Sequence, residues 1–186
     1  MRVPRRRPRW PTGGMEGHTT YGNTAELLEE LAARVAALED RLTIADLMAS
    51  YGPAIDAGDP EAVARVWTED GVYDVDTGVM HGRDEIAAMV LGERHQGYVQ
   101  GGCAHILEPG RVRVDGDNAV ATGKSMLVTA DGAGRGFTVL RATANRWELV
   151  RTADGWRCRR RVGRVLDGGR ESREVLALGV DRGGSG

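Results

Sequence analysis

Residues 51–73 have the sequence YGPAIDAGDPEAVARVWTEDGVY, and the turn at the centre of this stretch decides the fold. Gly58 is the residue type that most often follows the last turn of a helix, so a helix arriving from upstream is predicted to end there. Asp59 and Pro60 favour the start of a second helix, with aspartate as the N-cap and proline in the first turn. Two successive helices are therefore expected before the strands of the domain.

The second helix is predicted to run until Asp70-Gly71, because Asp-Gly is a common turn signal. Its apolar side is expected to hold Val63, Val66 and Trp67. A short strand is predicted at 72–76, and a third helix is expected to open at Gly82, with Asp84 as its N-cap. The apolar residues of that third helix are Ile86, Met89 and Val90.

Upstream of the quoted stretch, apolar residues recur at alternating steps of three and four, at Leu28, Leu31, Val35, Leu38 and Leu42. This spacing predicts an amphipathic helix that begins near Asn23 or Thr24. The helical pattern continues from Thr43 to Ala57, and Pro53 favours a kink within it. Because the stripe is short for an independent coiled coil, we expect it to pack on the domain or on a second subunit, so that the assembly is a homodimer or a higher homo-oligomer.

The two ends of the chain differ from its middle. Residues 1–23 are rich in Arg, Pro and Gly and nearly lack aliphatic side chains, which predicts a disordered arm. Its short basic block is expected to be a solvated tail, not a nucleic-acid contact. Residues 167–186 are expected to form a tail with one apolar cluster between Val175 and Val180.

The chain after the third helix favours strands separated by turns rich in Gly and Asp. The candidate strands are 104–107, 111–114, 119–129, 137–150 and 156–165. Helices followed by a long antiparallel meander define an α+β order. One domain is therefore expected at residues 24–166, which include the N-terminal amphipathic helix.

Composition excludes several classes of function. A balance of 25 Lys and Arg residues against 27 Asp and Glu residues gives a formal net charge of -2, which does not favour nucleic acid or an anionic membrane as the main partner. The two cysteines lack CxxC spacing, so neither a disulfide framework nor a thiolate zinc site is suggested. No apolar run has the ~20 residues that cross a bilayer. We expect a soluble, cytoplasmic protein that binds a small molecule.

Four segments, in their order and spacing, resemble the SnoaL-like branch of the NTF2-like superfamily. They are YGPAIDAGD at 51–59, VWTEDGVY at 66–73, GRDEI at 82–86 and DGWR at 154–157. The resemblance covers roughly residues 40–166. It implies an α+β cone in which three N-terminal helices pack on a strongly curved antiparallel sheet, running from about Ile44 to Leu166. It also implies an enclosed pocket for a hydrophobic small molecule, no cofactor, and dimers formed through the sheet.

Within that family, the local pattern is similar to scytalone dehydratase-like and bile-acid dehydratase-like members. His105, in the segment CAHIL, resembles their strand histidine, and Asp56 resembles the acidic residue that faces it. Tyr51 resembles the tyrosine that related enzymes aim at a substrate oxygen. Asn145, in the segment TAN, resembles a substrate-contacting asparagine. These matches imply a catalytic set of His105, Asp56 and Tyr51.

The sequence also departs from that pattern. Lys124 stands where the dehydratase has its second histidine, and Val75 stands where steroid isomerases carry their base carboxylate. The lysine departs from the dehydratase itself. Val75, and Asn145 near the position of the isomerase's protonated aspartate, favour elimination over isomerisation. Together with Asn145, the expected substrate-binding residues are Lys124, Trp67 and Arg160, the last because it shares strand parity with Trp156 and Cys158. No metal ligand set is expected, the only alternative being His95 with His105, and both His81 and His95 are predicted to be exposed.

The chemistry expected of these residues is the loss of water next to a carbonyl group. His105 can take an α-proton and then return it to the departing hydroxyl, because its ordinary pKa is near neutrality. Asp56 can fix the imidazole tautomer, and Tyr51 can donate to the enolate oxygen. The leading hypothesis is a cofactor-independent lyase, a dehydratase or cyclase-like enzyme. The alternatives are an isomerase, ring-forming enzyme or epoxide hydrolase using the same pocket, and a non-catalytic binding or dimerisation module.

Overall fold

The computed structural model of the chain describes residues 21–108, 110–132, 134 and 136–179. Helices and strands come in the order expected of an α+β chain. The helices are α1 (Tyr21–Asp56), α2 (Pro60–Ala64), α3 (Arg83–Ala88), α4 (Glu93–Gly101) and α5 (Arg170–Ala177), with a 3₁₀ turn at Met89–Leu91 after α3. The strands are β1 (Trp67–Val75), β2 (Gly78–His81), β3 (Cys103–Leu107), β4 (Arg111–Asp115), β5 (Asn118–Ala130), β6 (Phe137–Thr152) and β7 (Gly155–Val165).

The chain divides into two units at residues 35 and 36, within α1. In the first unit, the described residues belong to the first half of α1, which starts at Tyr21 and so includes the last three residues of the expected disordered arm. The rest of that arm, residues 1–20, lies outside the described residues, as do residues 180–186 of the expected tail. None of the described helices combines the length and the apolar character needed to cross a membrane.

The second unit consists of helices packed on an open, curved sheet of seven strands. Hydrogen-bonded neighbours follow the order β2-β1-β7-β6-β5-β3, and β4 pairs with the first half of β5 while β3 pairs with the second half. Every pair is antiparallel except β1 with β7, which is parallel. The core between helices and sheet contains three large aromatic side chains, Tyr51, Trp67 and Trp147, each no more than 1 % exposed.

The strands from β3 to β7 confirm the predicted set, each within two residues at either end. The prediction for the second helix is wrong in its extent. α2 ends at Ala64, and Trp67 begins β1, because the backbone from Trp67 to Val75 pairs with β7 instead of continuing the helix. Asp59 does cap α2, since its side chain accepts a hydrogen bond from the backbone N–H of Ala62 at 2.9 Å.

Three short elements were absent from the predicted set. β2, α4 and α5 contain few aliphatic residues, and α4 has the sequence ERHQGYVQG, in which the helical period of apolar residues is not visible. The predicted N-cap of the third helix is also wrong. Gly82 takes that position with a backbone φ of 86°, and Asp84 lies in the first turn without capping it.

Candidate functional site

The last two turns of α1 lie directly on β3. Gly52 has no side chain there, and a Cβ at this position would collide with the backbone carbonyl oxygen of His105. Asp56 follows Gly52 by four residues and so lies on the same face of the helix. This close approach is what brings the carboxylate at the end of α1 to the strand that carries His105.

Asp56 holds His105 through both carboxylate oxygens. Oδ1 lies 2.6 Å from the ring Nδ1, and Oδ2 accepts the backbone N–H of the same residue at 2.7 Å. A carboxylate beside Nδ1 selects the tautomer that carries its proton there. The ring nitrogen Nε2 of His105 is then left as the atom available to a ligand.

Burial lowers the pKa of His105, because the protonated ring would lose hydration. Asp56 opposes that effect through its hydrogen bond and its charge, whereas His95 and Arg161 lower the pKa further. The net result is a pKa below the ordinary value of 6.5. His105 is therefore neutral near pH 7 and can accept a proton.

One group of described residues has the composition of a metal site, namely Asp56, Cys103 and His105, whose potential ligand atoms lie within 4.8 Å of one another. These atoms already interact, since the Cys103 thiol donates to Asp56 Oδ1 at 3.5 Å. Burial, reinforced by the neighbouring carboxylate, raises the pKa of Cys103 to about 11. The three side chains are thus joined by hydrogen bonds in which Asp56 is the shared acceptor.

His95 corrects a prediction, because it is buried instead of exposed. It lies on α4, and its ring is stacked at 29° to that of His105 with the centroids 5.6 Å apart. Its Nε2 lies 2.9 Å from the carbonyl oxygen of Ile55, and since a carbonyl only accepts, this nitrogen must carry the proton. His81 is exposed, as predicted.

Arg161 is the residue that sequence reasoning missed. It is only 3 % exposed, and no carboxylate among the described residues pairs with it. Its guanidinium carbon lies 4.2 Å from the ring centroid of Trp147, 4.9 Å from that of Tyr51 and 5.0 Å from that of Tyr73. Nε and Nη2 donate to Asn145 Oδ1 at 3.1 and 2.8 Å, whereas Nη1 is buried without a hydrogen-bond partner.

A β-bulge in β7 explains why Arg161 and not Arg160 is buried. Cys158 lies opposite Leu149 on β6, yet Arg160 lies opposite Glu148, so β7 has one extra residue at this point. A bulge reverses the alternation of inward and outward side chains. Arg160 is consequently exposed and pairs with Asp74 at 3.0 Å.

The hydroxyl of Tyr51 is a second buried group without a partner. Burial strongly raises the pKa of Tyr51, although the nearby Arg161 acts in the opposite direction. The hydroxyl therefore keeps its proton and remains a donor. An unpaired buried donor costs free energy unless a ligand or a water molecule satisfies it.

These groups surround a cavity of about 610 Å³. His105, His95, Tyr51 and Arg161 all line it, together with many apolar side chains such as Ile55, Val75, Met89, Leu107 and Leu140. Such a volume accommodates a ligand of several rings, and an apolar lining with a few polar groups is typical of small-molecule sites.

All four sequence-predicted substrate-binding residues are absent from the described lining of this cavity, namely Asn145, Lys124, Trp67 and Arg160. Asn145 is buried, and it donates to Ser125 Oγ and to the Thr143 carbonyl while it accepts from Arg161, so it orients that guanidinium. Lys124 is half exposed, with Nζ 3.9 Å from the Glu108 carboxylate. Trp67 is a core residue.

The helices packed on an open, curved sheet and the cavity that they form define the class of NTF2-like proteins with the cystatin-like fold. Residues 36–162 match the family model described as a SnoaL-like domain, and the chain belongs to this SnoaL-like family. The family lies in a superfamily that includes isomerases, dehydratases and cyclases. No curated protein matches the chain significantly.

Solved structures support the same assignment. An NTF2-like protein with a cystatin-like fold from Novosphingobium aromaticivorans is 41 % identical, with a TM-score of 0.77 over 88 % of this chain and 99 % of that one. A putative aromatic ring hydroxylase from the same organism is 29 % identical, with a TM-score of 0.53 over 69 % of this chain and 90 % of that one. A protein of unknown function from Mycobacterium tuberculosis, 24 % identical with a TM-score of 0.58 over 73 % and 89 %, shares the fold.

Proposed function

We propose that this protein is a cofactor-independent lyase that eliminates water from a hydrophobic β-hydroxy carbonyl compound. One observation carries the proposal. The His105 ring, fixed by Asp56, lines the same cavity as Tyr51 and Arg161, and each of these two has a buried donor without a partner. A proton acceptor and two donors for one oxygen are the groups that an enolisation requires.

The first step removes a proton from the carbon next to the carbonyl group. Nε2 of neutral His105 accepts this proton. The electron pair of the C–H bond forms a double bond to the carbonyl carbon, and the π pair of the C=O bond moves to the oxygen. Asp56, with Oδ1 2.6 Å from Nδ1, stabilises the imidazolium that forms. Such general base catalysis contributes typically about 10²–10⁴-fold to a rate.

The enolate oxygen is the place where negative charge develops. The Tyr51 hydroxyl and Nη1 of Arg161 are the donors without partners, and the guanidinium adds a full positive charge in a water-poor setting. Interactions of this kind are strong because the local dielectric is low and the donors are already oriented. Asn145 keeps the guanidinium in place through two hydrogen bonds.

The second step breaks the bond between the β-carbon and its hydroxyl group. The imidazolium of His105 gives its proton to that hydroxyl, water leaves, and the enolate collapses to a conjugated, unsaturated carbonyl compound. The enzyme returns to its starting protonation state, so no cofactor is needed. The apolar lining and the volume favour a ring-bearing substrate, and the name of the 29 % identical relative, a putative aromatic ring hydroxylase, supports the same class.

An isomerase would use the same groups on a substrate without a leaving hydroxyl. His105 would then return the proton to another carbon of the enolate. The two reactions share the first step, and they differ in whether water is lost.

The test is a panel of aryl β-hydroxy ketones and of β,γ-unsaturated ketones. Elimination is followed by the near-ultraviolet absorbance of the conjugated product, and proton removal by deuterium uptake from D₂O in NMR spectra. His105→Ala and Asp56→Asn are each expected to slow turnover by roughly 10²–10⁴-fold, with effects that are far from additive. His81→Ala and Asp70→Asn, which alter exposed residues, are the matched controls.

The outcomes separate the hypotheses. An increase in the absorbance of the conjugated product that is lost in His105→Ala supports the lyase. Deuterium uptake and double-bond migration without loss of water would establish the isomerase instead. Tight binding of the ketones with no chemistry in any arm would leave a binding module and overturn the proposed enzyme.

A further inference from the structure

The stripe on α1 is exposed along its whole length. Its members are Leu28, Leu31, Val35, Leu38 and Leu42, and their exposed fractions run from 51 to 63 %. We infer that this stripe pairs with the same stripe of a second copy of the chain, and that the two helices run parallel as a two-stranded coiled coil. The inference concerns assembly and is independent of the proposed reaction.

The spacing fits the heptad repeat of a coiled coil. Leu28, Val35 and Leu42 take position a, and Leu31 and Leu38 take position d. Leucine at both d positions with valine at the central a position is a combination that suits two strands. The opposite side of the helix is already used, because Asp40, at position f, accepts from Arg151 at 2.6 Å and from Trp156 at 3.0 Å.

The charges beside the stripe specify the partner and its direction. Arg34 and Arg41 fall at position g, and Glu39 and Asp46 fall at position e. In a parallel pair, a residue at g lies next to the residue five positions later on the other helix. Arg34 would then meet Glu39 of the second copy, and Arg41 would meet its Asp46.

The antiparallel arrangement reverses this match. There, g positions face g positions and e positions face e positions, so arginine would oppose arginine and carboxylate would oppose carboxylate. Like charges in contact destabilise a pairing by about as much as opposite charges stabilise it. The parallel homodimer is thus the arrangement in which all of these contacts are attractive.

These four charged side chains are available for the pairing. All are exposed, and none makes an ion pair with another described residue. In the second unit the helix is held in the core by Ile44, Met48 and Tyr51. Two short heptads need not nucleate a helix, which is the step that makes isolated short coiled coils unstable.

Sedimentation equilibrium of charge-reversed variants tests the inference. The wild type is expected to be a dimer. The double variant Arg34→Glu with Arg41→Glu has acidic residues at both the g and the e positions. The double variant Glu39→Arg with Asp46→Arg has arginines at both. Each should raise the dissociation constant of the dimer by about tenfold or more. An equimolar mixture of the two double variants should recover the dimer as a heterodimer. Circular dichroism checks that the exposed changes leave the fold intact.

Disulfide trapping tests the direction of the helices. Leu28→Cys is expected to cross-link to itself on oxidation, because equal a positions are adjacent in a parallel pair. In an antiparallel pair, where each a position packs against a d position, Leu28→Cys would cross-link only in a mixture with a chain that carries cysteine at d, such as Leu38→Cys. The wild-type chain is the control for Cys103 and Cys158.

A wild-type protein that stays monomeric at all concentrations overturns the inference. The inference is also wrong if neither charge reversal changes the dissociation constant of the dimer and Leu28→Cys does not form a disulfide between two copies. Cross-linking only in the mixed sample rejects the parallel direction and with it the charge argument.

Discussion

Gly52 of α1 and the carbonyl oxygen of His105 in β3 are in direct contact, with no space for a side chain between them. Gly52→Ala is therefore expected to push the helix away from the strand. Because Asp56 lies one turn further along, its carboxylate would separate from the imidazole, and turnover should fall together with a loss of roughly 1–3 kcal/mol in the free energy of unfolding. Thermal or urea unfolding and the ketone assay measure the two effects.

Gly97→Ala is the matched control for that change. Gly97 lies in α4, and a Cβ there would meet no atom within 4 Å. Alanine in a helix interior should stabilise the protein by about 0.5–1 kcal/mol. An equal response of the two glycines would show that the contact with His105 has no special role.

Arg161 and Arg160 are adjacent in sequence but opposite in their environment. Arg161→Gln should weaken the binding of a naphthol, whose oxygen anion resembles an enolate, by roughly 10–100-fold, because a fully buried positive charge is lost. Arg160→Gln removes only an exposed ion pair with Asp74 and should change the affinity less than about threefold. Calorimetric titration measures the affinity of both variants for the naphthol. Similar losses of affinity in the two variants would contradict the conclusion that Arg161, and not Arg160, contacts the ligand.

Tyr51 offers a way to separate function from stability. Its buried hydroxyl has no partner, so Tyr51→Phe removes an unsatisfied donor and should leave the free energy of unfolding unchanged or slightly higher. Turnover should nevertheless fall by about 10-fold or more if that hydroxyl donates to the developing oxyanion. A variant that loses stability and keeps full activity would assign the hydroxyl a structural role.

The pH dependence of activity should reflect the lowered pKa of His105. The base form is needed for catalysis, so the acidic limb of kcat/KM is expected below the ordinary histidine pKa of 6.5. Asp56→Asn removes a group that raises this pKa, and the limb should move to still lower pH. NMR titration of the His105 ring in both proteins checks the assignment, and a limb above 6.5 would refute it.

The same lowered pKa affects stability. The unfolded chain takes up a proton at His105 near pH 6.5, whereas the folded protein does so only at a lower pH. The unfolded state thus binds more protons in that interval, and the contribution of His105 to stability is complete above 6.5 and lost as the pH falls to the folded pKa. Urea unfolding at several pH values should show a smaller acid loss for His105→Gln.

Cys103 should react slowly with alkylating reagents near neutral pH, because its pKa is raised to about 11. Asp56→Asn removes the carboxylate that contributes to this rise, so the thiol of that variant should be alkylated faster. Mass spectrometry after timed exposure to iodoacetamide measures the difference. Equal rates in both proteins would mean that burial alone protects the thiol.

The pairing of Asp56 with His105 was anticipated from the resemblance of two segments to the dehydratase pattern. One marks the end of a helix before Gly58, and the other is a short apolar strand. The long antiparallel strands were equally accessible, since alternation and turn residues are local properties. The parallel pairing of β1 with β7 could not be predicted from local patterns, because it joins residues about 90 positions apart.

The remaining differences have identifiable causes. Strict alternation along β7 predicts Arg160 inside, and the extra residue of the bulge, which no local pattern marks, puts Arg161 there instead. His95 was expected in a loop because α4 contains two glycines within its helix and few apolar residues. Its burial follows from the contact with Ile55, which is a tertiary interaction.

The guanidinium of Arg161 rests 4.2 Å from the centre of the Trp147 ring, and this contact gives the cavity an optical signal. Indole emission responds to a nearby charge, so an anionic ligand that draws or neutralises this guanidinium changes the colour and intensity of tryptophan fluorescence. The signal needs no added label. A collection of candidate compounds can therefore be screened directly by the light that the protein itself emits.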